Sequence, residues 1–387
     1  MRILHTSDWH LGRTFHGASI HEDQRAAIDW IVATAAAEDI DLIVIAGDVY
    51  DRAVPPLESV ALWQTALERL SEIAAVLVTS GNHDSPTRLG FAGSLLGRAG
   101  VHLRTGIDTI ATPVVVTGRD GVEVVAYGIP YLEPDLHREA LGAERSHTAV
   151  LAAAMDRVRD DLGRRPATRS VVVAHAFVTG SAEAVVSESE RDLRVGGVGD
   201  APATLFDGVD YVALGHLHGA QQVRAPGATR IHYSGSPLAF SFSEEAHLKS
   251  VTLVDIPAAG DVEVTTVPIP IGRPLVTLRG ELDTLLGDPD LLIHRDSWVR
   301  VILTDARRPD HAMSRLREVW PLTADLDFDA LRSTTGVAAR DLVINTTDPV
   351  AIAESFVEHV TATPPTDDES AALRASVEAA RIAEVSP

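Results

Sequence analysis

No cysteine occurs among the 387 residues. Disulfides and thiolate metal sites are therefore excluded, and any transition-metal site must draw on His, Asp, Glu or Asn. Lysine is almost as scarce, with Lys249 the only one among 33 basic residues. No Gly-rich loop precedes it, so the chain lacks a Walker A phosphate loop, and any ATP must be bound by another polypeptide. Long apolar runs are missing too, and nothing approaches the roughly 20 residues that span a bilayer. The opening Met1–Asp8 reads as a strand entering a polar loop rather than as a signal peptide, and a cytoplasmic location is the expectation. Positive charge is in deficit, at a net −22. That counts against tight stand-alone binding of nucleic acid, whose phosphates usually meet Lys and Arg. Bound divalent cations or a basic partner subunit would offset it.

What is present is apolar substance for more than one core: 45% hydrophobic residues in a chain longer than the usual domain of about 100–200 residues. Short apolar runs alternate with amphipathic stretches at about Glu22–Ala37 and Leu57–Leu70, while Leu42–Ala46 and Val76–Val78 read as strands. This β-α-β-α-β order predicts a largely parallel sheet with helices on its faces. Later runs at Val114–Val116, Val122–Ala126, Val171–Ala174, Tyr211–Leu214, Arg230–Tyr233, Val251–Val254 and Val262–Val267 are separated by Gly and Pro turns. They predict a second, more antiparallel sheet. The fold class expected is α/β, a two-sheet β-sandwich flanked by helices.

Residues 1–268 would form this main domain. The proline-rich Pro268–Pro274 reads as a linker. A small α/β capping domain would follow over 275–345, with strands at Leu275–Leu278 and Val299–Leu303 and a helix at about Ala312–Trp320. Two helices would close the chain over 348–387. The first is started by Asp348-Pro349 and carries an apolar face of Ile352, Ala353, Phe356, Val357 and Val360. The second runs from about Thr366 to Ala383 with a thin stripe of Leu373, Val377 and Ala380.

Five clusters carry chemistry, each at the end of a predicted strand: Asp8-Trp9-His10, Gly47-Asp48-Val49-Tyr50-Asp51, Gly81-Asn82-His83-Asp84, His175, and Gly215-His216-Leu217-His218. Loops at the carboxyl ends of strands converge on one crevice in open α/β sheets. Carboxylate, imidazole and amide oxygen are donors for cations such as Mn²⁺. Each cluster alone is weak; the ordered set is specific. His5, His102, His232 and His294 stand outside it and read as ordinary core or surface histidines.

The order Asp-x-His, Gly-Asp-x-x-Asp, Gly-Asn-His-Asp, His, Gly-His-x-His resembles the calcineurin-like metallophosphoesterase superfamily. The resemblance implies that Asp8, His10 and His218 bind one metal, that Asn82, His175 and His216 bind the other, and that Asp48 bridges them. It implies further that His83 faces the substrate phosphate as a catalytic group and that Asp84 orients it. Two divalent cations about 3.5–4 Å apart can bind one phosphate, activate water and stabilise the attacking and leaving oxygens. Hydrolysis of a phosphoester is the reaction implied.

The flanking residues narrow the family. Met1–Arg13, with Trp9 and Leu11 in place, resembles the opening of SbcD proteins, as do Gly47–Asp51 with Pro55-Pro56 and Tyr233–Pro237 followed by Ser241-Phe242. Asp51 stands where archaeal and eukaryotic relatives commonly carry histidine. This similarity implies a DNA nuclease, exonucleolytic on duplex ends and endonucleolytic on hairpins. Mn²⁺ is the cation implied, with Mg²⁺ as the alternative. The partners implied are DNA, a second copy of the chain, and two copies of an SbcC-like ATPase with long coiled coils. The helices near Glu58–Leu70 and Thr87–Leu96 are candidates for the dimer contact, and the terminal helices for docking on the coiled coil. Arg13, His16, Arg52 and Arg88 flank the metal loops, and Gly180–Gly199 reads as a surface loop near the substrate entrance. Two other readings stay open: a small-molecule phosphodiesterase or phosphatase on the same core, and a scaffold that has lost its metals.

Overall fold

The structure, a computed structural model, describes all residues except 166–167, 182–183, 191–200, 330–347, 362 and 386–387; within the terminal helices it leaves aside the side chains of 359–361 and 379–385. The chain divides into two compact units, Met1–Gly272 and Arg273–Pro387.

The first unit is built on two six-stranded sheets. One runs in the order Glu263–Pro268, Ser250–Asp255, Arg2–Thr6, Leu42–Ala46, Ala75–Thr79, Val101–Arg104, the last four strands parallel and the first two added antiparallel. The other runs Gln221–Val223, Arg230–Tyr233, Tyr211–Gly215, Arg169–His175, Glu123–Ile129, Val114–Thr117. Its four central strands are parallel, and only its two edge strands are antiparallel to their neighbours. The expected antiparallel character of this sheet is thus corrected. The segments between its parallel strands are crossovers long enough to re-enter from the same end, the one from Glu123–Ile129 to Arg169–His175 running through the helices Pro134–Leu141 and His147–Leu162.

The strand Leu42–Ala46 is buried at every residue, because both its faces are covered. Leu42, Val44 and Ala46 join Val171, Val173, Tyr211 and Ala213 in the core between the sheets. Ile43 and Ile45 face the other way, toward the helices His21–Ala37 and Leu57–Ser71. The helix His147–Leu162 covers the second sheet through Val150, Leu151, Ala154, Met155 and Val158. This four-layer stack aims the carboxyl ends of five strands at one edge.

The second unit carries a three-stranded parallel sheet of Leu275–Gly280, Trp298–Leu303 and Thr323–Phe328. Its core holds Val299, Val301, Leu303, Leu316 and Trp320. Helices Pro349–Thr361 and Asp367–Val385 follow. The expected end of the small domain at 345 lies outside the described residues, as do the side chains of Val360 and Ala380. No described helix is long and apolar enough to cross a membrane.

Candidate metal centre

The two loops that follow Arg2–Thr6 and Leu42–Ala46 are zipped together by backbone bonds. Asp8 N–H donates to the Gly47 carbonyl at 3.0 Å, His10 N–H to Asp48 at 3.0 Å and Leu11 N–H to Val49 at 2.9 Å. A helix side chain braces the first loop from behind, with Gln24 Nε2 donating to the His10 carbonyl at 2.7 Å. Trp9 points away from the crevice into the core, edge-on to Trp63 at 5.7 Å, with its Nε1–H on Thr6 Oγ1. The third loop is stapled to the second by Asp84. Its carboxylate accepts the N–H groups of Gly81 at 2.9 Å, Val49 at 3.1 Å and Tyr50 at 2.9 Å. From the second sheet, His175 crosses over and donates Nδ1–H to the Ala46 carbonyl at 2.9 Å.

All seven sequence-predicted ligands and His83 meet in this crevice. Asp8, His10 and His218 present donor atoms within 4.8 Å of one another, as do Asp8, Asp48 and His175, and also His10, Asp48 and His83. His175 Nε2 lies 2.9 Å from Asn82 Oδ1 and 3.5 Å from Asp48 Oδ2. His216 donates its backbone N–H to both Asp8 carboxylate oxygens at 3.1 Å, and its ring stands 5.5 Å from that of His175. The backbone of His83 donates to Asp48 Oδ1 at 2.9 Å, and its ring Nδ1 meets the Asp51 carbonyl at 2.7 Å. Asp51, not Asp84, therefore fixes the His83 ring, whereas Asp84 holds the two loops on which Asp48 and His83 sit.

Backbone conformation marks the same residues. Asp8, His10, Asp48 and His216 have φ of 53°, 44°, 49° and 115°, four of the eight non-glycine residues with positive φ among those described. Such conformations cost about 1–3 kcal/mol each and persist where the surroundings enforce them, commonly at functional sites. Glycine clears the approach: a Cβ at Gly81 would overlap Asp48 Oδ1, and one at Gly215 would overlap the Ala46 carbonyl.

Electrostatics fit a cation. Burial drives the imidazolium form of His10 well below its usual range, that of His216 to about 3 and that of His218 to about 4, so these rings are neutral with lone pairs to give. Burial also raises Asp8 to about 7; His175 opposes this and the charge of Asp48 adds to it. Burial lowers His175 as well, but the Asp48 carboxylate outweighs it and holds the ring protonated up to about 9. A proton on His175 thus stands in for positive charge that two buried carboxylates demand. The rings of His10 and His218 test the fit directly. Their Nε2 atoms face each other at 3.1 Å, and among the described residues His10 Nδ1 has no hydrogen-bond partner. Two lone pairs in that arrangement need a shared cation or a proton between them. The donor set is oxygen and nitrogen, suited to Mn²⁺, Mg²⁺ or zinc.

Behind His218 lies a group of residues that motif reading missed. Ser189 Oγ bonds His218 Nδ1 at 2.6 Å and also Glu244, while Glu190 Oε1 accepts the His218 N–H at 2.6 Å. Glu244 in turn pairs with Lys249. Burial would raise the Glu244 carboxyl, but His218 and Lys249 hold it far below the ordinary range. Part of the stretch read as a surface loop therefore backs the site. The only sequence signal was the solitary lysine. His5 lies deep between the sheets on Tyr211 Oη at 2.9 Å, and His232, buried near their open edge, lies on Thr252 Oγ1 at 3.4 Å.

The chain is similar to TT1561 of Thermus thermophilus, at 14% identity over 68% of this chain and 98% of that one, TM-score 0.42. It is similar to GAP50 of Plasmodium, described as the anchor in the inner membrane complex, at 12% identity over 84% and 96%, TM-score 0.41. A dimetal phosphatase from Danio rerio matches at 11% identity over 70% and 99%, TM-score 0.40. Residues 1–220, from the first strand through the last histidine of the crevice, match the model of the calcineurin-like phosphoesterases, and the chain belongs to that family.

Proposed function

We propose that the chain hydrolyses phosphodiester bonds in DNA with two divalent cations, Mn²⁺ or Mg²⁺, as the nuclease subunit of an SbcCD-type complex. The observation that carries the hydrolytic part is the meeting of Asp8, His10, Asp48, Asn82, His175, His216 and His218 in one largely buried crevice. In this reading Asp8, His10 and His218 hold one cation, Asn82, His175 and His216 hold the other, and Asp48 is shared. When bound, the pair supplies positive charge for phosphate oxygens and makes water ionise near neutral pH. His83 does the proton work. The Asp51 carbonyl takes its Nδ1–H; when the ring also carries a proton on Nε2, that proton passes to the leaving oxygen and the ring is left neutral with Nδ1–H still on Asp51, a contribution of about 10²–10⁴-fold. Asp84 supports it from behind by fixing both loops.

The DNA assignment rests on the residues around the metal loops, from Trp9 and Leu11 through Tyr233–Pro237, which are similar to SbcD sequences. Of the flanking basic residues, Arg13 is engaged by the Ser189 carbonyl and the Phe240 ring. His16, Arg52 and Arg88 are exposed and are better placed for phosphate contacts. Exposed Val54, Leu57, Phe91 and Leu95 support a homodimer contact near the helices first suspected. Exposed Phe356 on Pro349–Thr361 supports docking on an SbcC-like coiled coil.

The test is Mn²⁺-dependent cleavage of end-labelled duplex and hairpin DNA by the wild type, His83→Ala and Asp48→Ala. Cleavage by the wild type alone is expected. A wild type that hydrolyses nucleotide monoesters or a generic diester but leaves DNA intact, even with the ATPase partner added, would overturn the DNA assignment. The net charge of −22 suits a small-molecule substrate better than stand-alone DNA binding, whereas the complete set of seven ligands and His83 counts against a metal-free scaffold. Sedimentation equilibrium checks the dimer, which a monomer would contradict.

A further inference from the structure

Lys249 is the only lysine in a chain whose basic residues are otherwise arginine, and it is buried at 9% exposure beside a Glu244 that is 1% exposed. Replacing a buried ion pair by packed apolar residues is often neutral or stabilising, so stability alone does not explain it. All three ammonium hydrogens are used: on the His218 carbonyl at 2.9 Å, on Ser236 Oγ at 2.9 Å and on Glu244 Oε2. Three acceptors converging on one point suit a compact ammonium. A planar guanidinium cannot serve them from the same place. A sequence that uses arginine everywhere else departs from it where geometry forbids arginine.

Glu244 relays this order to a ring in the crevice. Its Oε1 accepts from Ser189 Oγ and from the Phe240 N–H at 3.2 Å, and it lies 3.5 Å from His218 Nδ1, too far for a direct bond. Ser189 Oγ fills the gap, 2.6 Å from Nδ1. The hydroxyl donates to the carboxylate and so can only accept from the imidazole. His218 must then carry its proton on Nδ1 and its lone pair on Nε2, the nitrogen that faces His10. Lys249 clamps the same residue through its carbonyl, and Glu190 clamps it through its N–H.

We propose that Glu244 and Lys249, acting through Ser189, are positioning residues that fix the tautomer and orientation of His218 for cation binding. This rests on the two-metal reading above. Outer-sphere partners of ligating histidines are worth about 10–100-fold in metal affinity.

The experiment is calorimetric titration of Mn²⁺ into the full chain, with electron paramagnetic resonance of the loaded protein, for the wild type, Glu244→Gln, Ser189→Ala, Ser189→Thr and Lys249→Arg. Circular dichroism before loading selects the variants that keep the native fold. The wild type should bind two Mn²⁺ with the spectrum of a coupled pair. Glu244→Gln, Ser189→Ala and Lys249→Arg should weaken one binding step about 10–100-fold and leave the other, giving an isolated-ion spectrum at stoichiometric metal. Ser189→Thr, which keeps the hydroxyl, should restore the pair. Folded variants with both steps at wild-type strength overturn the proposal and leave the two-metal reading intact. A wild type that binds no Mn²⁺ overturns both.

Discussion

Removing the Asp84 carboxylate should do more damage than its distance from the reacting phosphate suggests. The side chain is 7% exposed and accepts three backbone N–H groups, from Gly81, Val49 and Tyr50, at 2.9–3.1 Å. Hydrogen bonds to a charged acceptor contribute about 1.5–3 kcal/mol each, and a buried donor left without one costs about 1–3 kcal/mol. Water entering the space offsets part of this, so Asp84→Ala should lose about 3–5 kcal/mol. In a unit of this size that lowers the melting temperature by roughly 10 °C. Asp84→Asn keeps one oxygen. That oxygen can serve Gly81 and Val49 or else Tyr50, and the amide then presents N–H to the remaining donor, for a loss of about 2 kcal/mol. Urea unfolding at pH 8, where the wild-type group raised to about 7 by burial and by Asp48 is ionised, measures both. Initial rates on a generic diester, taken well below the midpoint, should fall in both variants as the loops under Asp48 and His83 loosen. An Asp84→Ala protein within about 0.5 kcal/mol of the wild type would refute the staple, because surface substitutions without such a role fall in that range.

Two buried histidines outside the crevice set an acid limit. Burial lowers His5 to about 3 and His232 to about 4 from an ordinary 6.5, so the unfolded chain takes up their protons first. Their contribution is complete above pH 6.5. It is lost at about 1.4 kcal/mol per pH unit for each as pH falls toward those values, which urea midpoints between pH 7 and 4.5 would show and a His5→Gln variant would flatten. Metal loading should run the other way. With His175 protonated up to about 9 and Asp8 up to about 7 in the metal-free protein, Mn²⁺ must displace protons, so its affinity should rise from pH 6 to 9. Calorimetry in buffers of different ionisation enthalpy would count the protons released. Gly81→Ala should cut diester hydrolysis by at least about 100-fold, because its Cβ overlaps Asp48 Oδ1. Rates beside a native circular dichroism spectrum check this.

The crevice was legible because each cluster pairs a buried apolar run with residues that have no reason to follow one. Asp8 after Ile3-Leu4 and His175 after Val171–Ala174 are examples. Strand direction in the second sheet was not, since Tyr211–Gly215 pairs with Arg169–His175 and Arg230–Tyr233 by register that no local pattern encodes. The backing of His218 was hidden for a related reason. Ser189 and Glu190 sit in Gly180–Gly199, which reads as a surface loop, and only the fold half-buries them beside the buried Glu244. Asp84 was singled out by the resemblance, as the group that orients His83. Its contacts run instead to Val49 and Tyr50, which are close only in space.

This buried cluster is proposed to hydrolyse phosphodiesters with two cations. The most direct measurement strips the protein with a chelator and follows hydrolysis of a generic diester as Mn²⁺ is returned, for the wild type beside Asp48→Ala. Wild-type activity should be absent without metal and return on binding two equivalents, and Asp48→Ala should stay inactive at every concentration. Activity that survives chelation, or an Asp48→Ala protein restored to the wild-type rate, would contradict it.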